Sequence, residues 1–396
     1  MSNETTEGGD FTSPETILTH SGRASADNFG YVNLPVFRGS TILFNTLDEL
    51  EDYKATYRYG RNDNPTTNAL AALVSELEGA AGTVICPSGL SAVSTALLAA
   101  LSAGDELLVT DSAYEPTRTF SSEGLSRFGI TTRFYDPTIA GGIAAQISDK
   151  TRAIFVETPG SLTFEMQDLP AIAKAAHERD ITVIVDNSWA SPLFHNPLAL
   201  GADMVMHAAT KMLVGHSDAM VGTVSANEKL WPKLQRTHRI LGVATSPDDS
   251  YLTLRGMRTL ALRMKHHSSQ SLAFAQWLQD QPSVEQVYHP ALPSHPGHAI
   301  WQRDFTGAGS LFAFRLKKKT RPSLAAMLDG LELFGMGYSW GGYESLCIPF
   351  NPTNARTAVP WEAEGQMFRT HVGLENIEDL KTDMAAALER YRGTNE

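Results

Sequence analysis

Four times between positions 83 and 185 the chain writes a short apolar run, at 83–86, 106–110, 152–157 and 181–185, and follows it with polar residues and a helical stripe. Apolar runs of this length without strict alternation suit strands buried on both faces. Their alternation with helices predicts an α/β fold with a mostly parallel sheet sandwiched by helices. Ligands of such sheets sit beyond the carboxyl ends of the strands. Ser88-Gly89, the segment 111–114, the segment 157–159, Asp186-Asn187 and Thr210-Lys211 all fall at such ends. The helices carry their own signals. Leu70, Leu73, Val74 and Leu77 share one face of a helix predicted over 68–78 that stops at Gly79. Others are predicted from Ser88-Gly89-Leu90 through 101, over 115–128, and from the capping Asp168, with Pro170 in the first turn, to 179.

At 396 residues the chain exceeds the roughly 100–200 of one domain, and its texture changes twice. Residues 1–60 have little periodicity and read as an arm, extended at 31–37 and 40–44, that packs on the main domain or on another subunit. Residues 61–255 hold the α/β pattern. Residues 256–396 read as a smaller C-terminal α+β domain, with a long helix over 256–278, strands at 310–316 and 367–372, and a closing helix striped by Ile377, Leu380, Met384, Leu388 and Tyr391.

Composition narrows the partners. Hydrophobic residues make up 42% and charged residues 19%, enough for a core and too little charge for a disordered chain. A net charge of −12 disfavours nucleic acid and anionic membrane surfaces as partners. The one basic run, 317–319, follows an apolar segment and reads as a solvated turn. Cys86 and Cys347 lie far apart with no CxxC spacing, which predicts no disulfide and a reducing compartment. The first 13 residues lack the basic and apolar regions of a secretory signal, and no apolar run approaches the ~20 residues of a membrane span. The expected location is the cytoplasm. His266, His267, His289, His295 and His298 lack partners at metal-ligand spacing and are expected on the surface or in packing. Neither a GxGxxG nor a P-loop is present, which argues against a nucleotide site.

The chemistry concentrates between 186 and 222. A carboxylate at one strand end (Asp186) and an amine after another apolar strand (Lys211) suit a pyridinium aldehyde cofactor. The amine forms an imine, the carboxylate keeps the ring nitrogen protonated, and the ring then accepts electrons from Cα. On these residues alone, a surface lysine and a capping aspartate fit about as well.

The run Asp186-Asn187-Ser188-Trp189-Ala190, followed by Ala209-Thr210-Lys211-Met212-Leu213-Val214-Gly215-His216-Ser217-Asp218, resembles the cofactor-lysine signature of the Cys/Met metabolism PLP-dependent enzymes. The resemblance is ungapped there and extends from about Thr19 to about Leu388. It implies the type I fold of PLP-dependent transferases and the cofactor pyridoxal 5'-phosphate (PLP). Lys211 would be the imine lysine and proton shuttle, and Asp186 the partner of the ring nitrogen. Tyr114 would stack on the ring and help orient the lysine. The amides of Gly89 and Leu90 and the hydroxyl of Thr210 would bind the phosphate, since first-turn amides lack partners. Tyr59 and Arg61 would clamp the phosphate of a neighbouring subunit, which implies a homo-oligomer with shared active sites, a tetramer in the usual family arrangement. Arg369, with Ser339, would hold the substrate α-carboxylate. One departure is Ala208, where many members carry a serine hydroxyl for the phosphate; one hydrogen bond to a charged group is worth roughly 1.5–3 kcal/mol.

Finer resemblance lies in the segments 289–293 and 303–307 and in Ser339-Trp340-Gly341-Gly342-Tyr343-Glu344-Ser345, which look like those of bacterial cystathionine β-lyases. γ-Acting relatives more often carry Leu at the position of Trp340. The implied activity is a carbon–sulfur lyase of methionine biosynthesis (transsulfuration), cleaving the sulfur amino acid L-cystathionine to homocysteine, pyruvate and ammonia. Two features lean the other way. Asn64-Pro65-Thr66 looks like the γ-acting relatives, and Asn62 stands where some β-lyases carry a second arginine. A γ-synthase, γ-lyase or sulfhydrylase is therefore the alternative, and a PLP-binding protein without catalysis the remote one.

Overall fold

A computed structural model describes residues 12–393. Residues 1–11, most of the segment read as lacking a secretory signal, lie outside that range. Seven strands form the large sheet: β1 (Gly82–Cys86), β2 (Glu106–Thr110), β3 (Thr131–Tyr135), β4 (Thr151–Glu157), β5 (Thr182–Asp186), β6 (Met204–His207) and β7 (Gly222–Ala226), in the order β1-β7-β6-β5-β4-β2-β3. Only β7 runs against its neighbours, so the carboxyl ends of the other six share one edge. Leu107, Phe155 and Ile184 face one helical layer and Leu108, Ile154 and Val183 the other. Sequence patterning missed two of these strands. Gly222–Ala226 is too small and polar to read as an apolar run, and Thr131–Tyr135, at the sheet edge, goes from exposed through half-buried to buried with three polar residues at its start.

The helix expected over 68–78 starts earlier, at Pro65, because Asn64 caps it: its side-chain oxygen accepts from the Thr67 amide at 2.9 Å. Asn64-Pro65 is thus a helix start in its own right. The helical run predicted over 115–128 does reach Phe128, but it loosens after Thr119 into a π turn and then a 3-10 turn. The single helix predicted over 256–278 is two, Pro247–Met257 and Leu260–Gln279. Ser246-Pro247 supplies the overlooked start, with Ser246 Oγ accepting from the Asp248 amide.

The second helix of that pair leads into an antiparallel sheet of β8 (Val284–Tyr288), β9 (Leu311–Leu316), β10 (Leu346–Phe350) and β11 (Gln366–His371), ordered β10-β11-β9-β8. Phe312, Phe314 and Phe368 pack there against Phe274, Met384 and Leu388 from the helices Leu260–Gln279 and Ile377–Gly393. The arm holds the helix Pro14–His20 and the short helix Leu47–Glu51. The extended pieces expected at 31–37 and 40–44 form no ladder; one bridge, Thr41 to Tyr59, holds the second, and the Thr66 hydroxyl holds the first at Pro35 O and the Phe37 amide. Lys317–Lys319 is an exposed connection, and Cys86 and Cys347 are free and buried. Among the described residues no helix is long and apolar enough to cross a membrane.

Candidate active site

The shared edge of the large sheet opens into a cavity lined by Ser88, Gly89, Leu90, Tyr114, Glu157, Asp186, Ser188, Thr210, Lys211, Trp340 and Arg369. Five strand ends and the small sheet build it. After β1, Ser88 caps the helix Gly89–Ala100 by accepting the Ser91 amide, which leaves the first amides of that helix facing the cavity. A Cβ on Gly89 would lie 2.7 Å from the Ala208 Cβ, so this approach requires glycine. Ala208 lacks the expected hydroxyl, yet its amide donates to Ser188 Oγ at 2.7 Å, which brings another hydroxyl beside it. Sequence reading had not marked Ser188. Thr210 lines the cavity, and its hydroxyl bridges the backbone of Val221.

At the end of β5, Asp186 accepts the Ser188 amide at 2.9 Å. Burial raises its carboxyl, and Ser188 together with the charges of His207 and Lys211 work against that rise. Lys211 follows β6 in a tight turn whose backbone is pinned from behind. Arg263 donates to the carbonyls of Met212 at 2.7 Å and Leu213 at 3.3 Å, and a Cβ on Gly256 would sit 2.2 Å from Val214 O. Burial, then the positive charge of Arg369, pushes the Lys211 amine down to about 8, with Asp186 opposing. Its Nζ donates to Ser339 Oγ at 2.7 Å and stands 5.4 Å from the Trp340 ring centroid.

The small sheet supplies the opposite wall. From β11, Arg369 Nη2 donates to the carbonyls of Gly337, Tyr338 and Ser339, and no carboxylate among the described residues forms an ion pair with it. His371, two residues on, holds the same loop: Nε2 lies 3.3 Å from the Gly341 amide and 3.1 Å from Gly342 O. Burial lowers its imidazole to about 4, so it is neutral at physiological pH. Tyr114 caps the helix Glu115–Thr119 with its ring half exposed.

Tyr59 and Arg61 are not brought to this cavity. Arg61 lies over the Tyr59 ring at 5.5 Å and lines a separate cleft with Asn64, Trp231 and His238. Of the histidines set aside earlier, four bond within the core or to backbone, as in His289 with Ser271 and His298 with Pro290 O, while His266 Nε2 is buried without a hydrogen-bond partner among the described residues. Among the described residues no three potential metal ligands cluster.

A family model for Cys/Met metabolism PLP-dependent enzymes matches residues 15–389. The chain belongs to that family. Its cofactor is pyridoxal 5'-phosphate, and its architecture is the type I fold of PLP-dependent transferases. Cystathionine β-lyase MetC of Escherichia coli is 40% identical over 388 residues, covering 95% of this chain and 98% of the relative. An L-alanine/L-glutamate racemase of Wolbachia pipientis is 37% identical over 392 residues, covering 95% and 97%. Cystathionine γ-synthase of Xanthomonas oryzae pv. oryzae, solved with cystathionine, superposes with a TM-score of 0.89 at 32% identity, covering 97% of this chain and 99% of that one. The cavity of this family member fits PLP on chemistry alone: free helix-terminal amides suit a phosphate, a lysine of lowered pKa suits an aldehyde, and a buried carboxylate suits a pyridinium.

Proposed function

We propose that the chain is a PLP-dependent carbon–sulfur β-lyase that cleaves L-cystathionine, with water, to homocysteine, pyruvate and ammonia. The observation that carries this reading is the Trp340 indole set 5.4 Å from the Lys211 amine, at the position where γ-acting relatives tend to carry leucine. β-Lyases among the curated relatives support it. PLP supplies the electron sink for the pair released at the substrate Cα. The protein does the rest. Lys211 attaches the cofactor, takes the Cα proton and returns a proton to the departing sulfur, for which an amine titrating near 8 is matched to neutral conditions. Ser339 holds Nζ in place between those tasks. With PLP bound, Asp186 would keep the ring nitrogen protonated, Tyr114 would cover the ring, and the Gly89 and Leu90 amides would hold the phosphate, joined by Thr210 once its hydroxyl proton turns from Val221 O. Arg369, free of any carboxylate partner among the described residues, takes the α-carboxylate with Ser339. Tyr59 and Arg61 complete the site of a second copy, in a tetramer of two such dimers, and the two unpaired cysteines suit a cytoplasmic enzyme.

The γ-acting reading keeps Asn62 and the likeness to a γ-synthase in its favour, while Asn64-Pro65 also serves as a helix start. Supplying L-cystathionine and identifying the 2-oxo acid decides between them. Pyruvate supports the proposal; 2-oxobutyrate as the main product overturns it.

A further inference from the structure

Two carboxylates meet in the cavity. Glu157 of β4 is registered against Asp186 of β5, and neighbouring strands lie about 4.8 Å apart. Phe155 and Ile184 point into one core, so the period of two puts Glu157 and Asp186 on that same face. Their surroundings differ. Asp186 has the Ser188 amide and the positive field of Lys211, whereas the Glu157 side chain accepts one hydrogen bond among the described residues, from the Tyr114 amide at 2.7 Å. The other titratable or charged groups lining the cavity around the pair are Lys211, Arg369, Tyr114 and Tyr338, and His207 of β6 acts on Asp186 from the neighbouring strand. Like charges this close in a buried site do not both ionise. Burial first, and then the charge of Asp186, hold the Glu157 carboxyl well above the usual carboxylate range.

We propose that Glu157 is a positioning residue that works as a neutral carboxylic acid: it docks Tyr114 through the backbone amide and leaves Asp186 as the single negative charge offered to the cofactor ring. The proposal rests on PLP occupying the Lys211 cavity and adds a protonation state and a residue to that reading. An ionised Glu157 would place a second anion beside Asp186 and hold the lysine nitrogen more firmly protonated. Losing the side chain would free the Tyr114 amide and, with it, the ring above the cavity.

Three variants test this, each measured for PLP affinity, for the pH midpoint of the bound-cofactor absorbance and for the Tm of the cofactor-free protein. Glu157→Gln keeps the shape and the acceptor but cannot ionise; its midpoint should stay within about 0.3 unit of the parent's and its affinity within about threefold. Glu157→Ala should weaken PLP binding roughly tenfold with the cofactor-free fold intact. A Glu157→Gln midpoint lower by about one unit would mean an anion had been removed and would overturn the proposal. So would parental affinity in Glu157→Ala. If Glu157→Ala fails to fold, the Gln midpoint decides. Lys211→Ala keeps the two readings apart: covalently trapped PLP in that variant defeats the site itself, whatever the Glu157 variants do.

Discussion

Lys211 Nζ donates a 2.7 Å hydrogen bond to Ser339 Oγ, joining the turn after β6 of the large sheet to the 337–343 loop of the small one. Arg369 grips the same loop through three carbonyls and His371 grips it at Gly341 and Gly342. Hydrogen bonds therefore link amine, loop and guanidinium, and a change anywhere in the loop bears on the lysine through Ser339.

Lys211→Ala removes both the attachment point and the base. Borohydride reduction followed by peptide mass spectrometry should find no PLP-bearing peptide, and cystathionine turnover should fall by roughly 10³-fold or more, the scale expected when a positioned acid–base group is lost. A reduced adduct at another lysine would defeat the assignment of Lys211.

Attachment of PLP needs the neutral amine. Burial and Arg369 bring Lys211 to about 8, so the neutral fraction is small below pH 7 and rises as pH passes through 8. Reconstitution of cofactor-free protein, followed by absorbance, should accelerate over that window and level off above it. A rate flat from pH 6.5 to about 9 would mean that the lysine is not lowered as its surroundings demand.

Gly341 has φ +90°, and a Cβ there would lie 2.8 Å from the Lys211 carbonyl carbon. Gly341→Ala adds backbone strain on the order of 1–3 kcal/mol and forces the loop off the lysine. Cystathionine turnover should drop by tenfold or more while PLP still attaches. Unchanged kinetics with an unchanged Tm would show that the contact is not held in solution.

The sequence exposed the large sheet because its central strands are buried on both faces and read as unbroken apolar runs, as in 181–185. Where burial is one-sided or the residues are small, as in Thr131–Tyr135 and Gly222–Ala226, that signal disappears. Lys211 and Asp186 could be noticed at strand ends of the large sheet, but the resemblance of 186–190 and 209–218 to the family signature is what singled them out, and Arg369, inside β11 of the small sheet, came from that resemblance alone. The roles of Arg263, Ser188 and His371 could not be singled out. Each acts through backbone atoms of a segment distant in sequence, as Arg263 does on Met212 and Leu213, and periodicity does not encode those contacts. Glu157 stood in plain view at a strand end. What the sequence withheld was its registration against Asp186.

Trp340 gives the sharpest test of regiochemistry. L-Cystathionine has two amino-acid arms on one sulfur, with one methylene on the side that yields pyruvate and two on the side that yields 2-oxobutyrate. Both arms end in the same amino and carboxylate groups, so Arg369 cannot tell them apart, and the choice falls to whatever limits the path from Cα to sulfur. The indole, packed at the junction of two apolar clusters and 5.4 Å from the Lys211 amine, walls the cavity beside that amine, and on the proposed reading it is the group that limits this path. Trp340→Leu shortens the wall and should admit the longer arm. The ratio of 2-oxobutyrate to pyruvate from cystathionine should rise by about tenfold, equivalent to ~1.4 kcal/mol between the two transition states. Truncating a packed aromatic also costs stability, on the order of 1–3 kcal/mol here, so Tm is read alongside. If the variant folds, turns over cystathionine and keeps the parental product ratio, the indole does not set the choice and the β-lyase reading loses the observation that carries it.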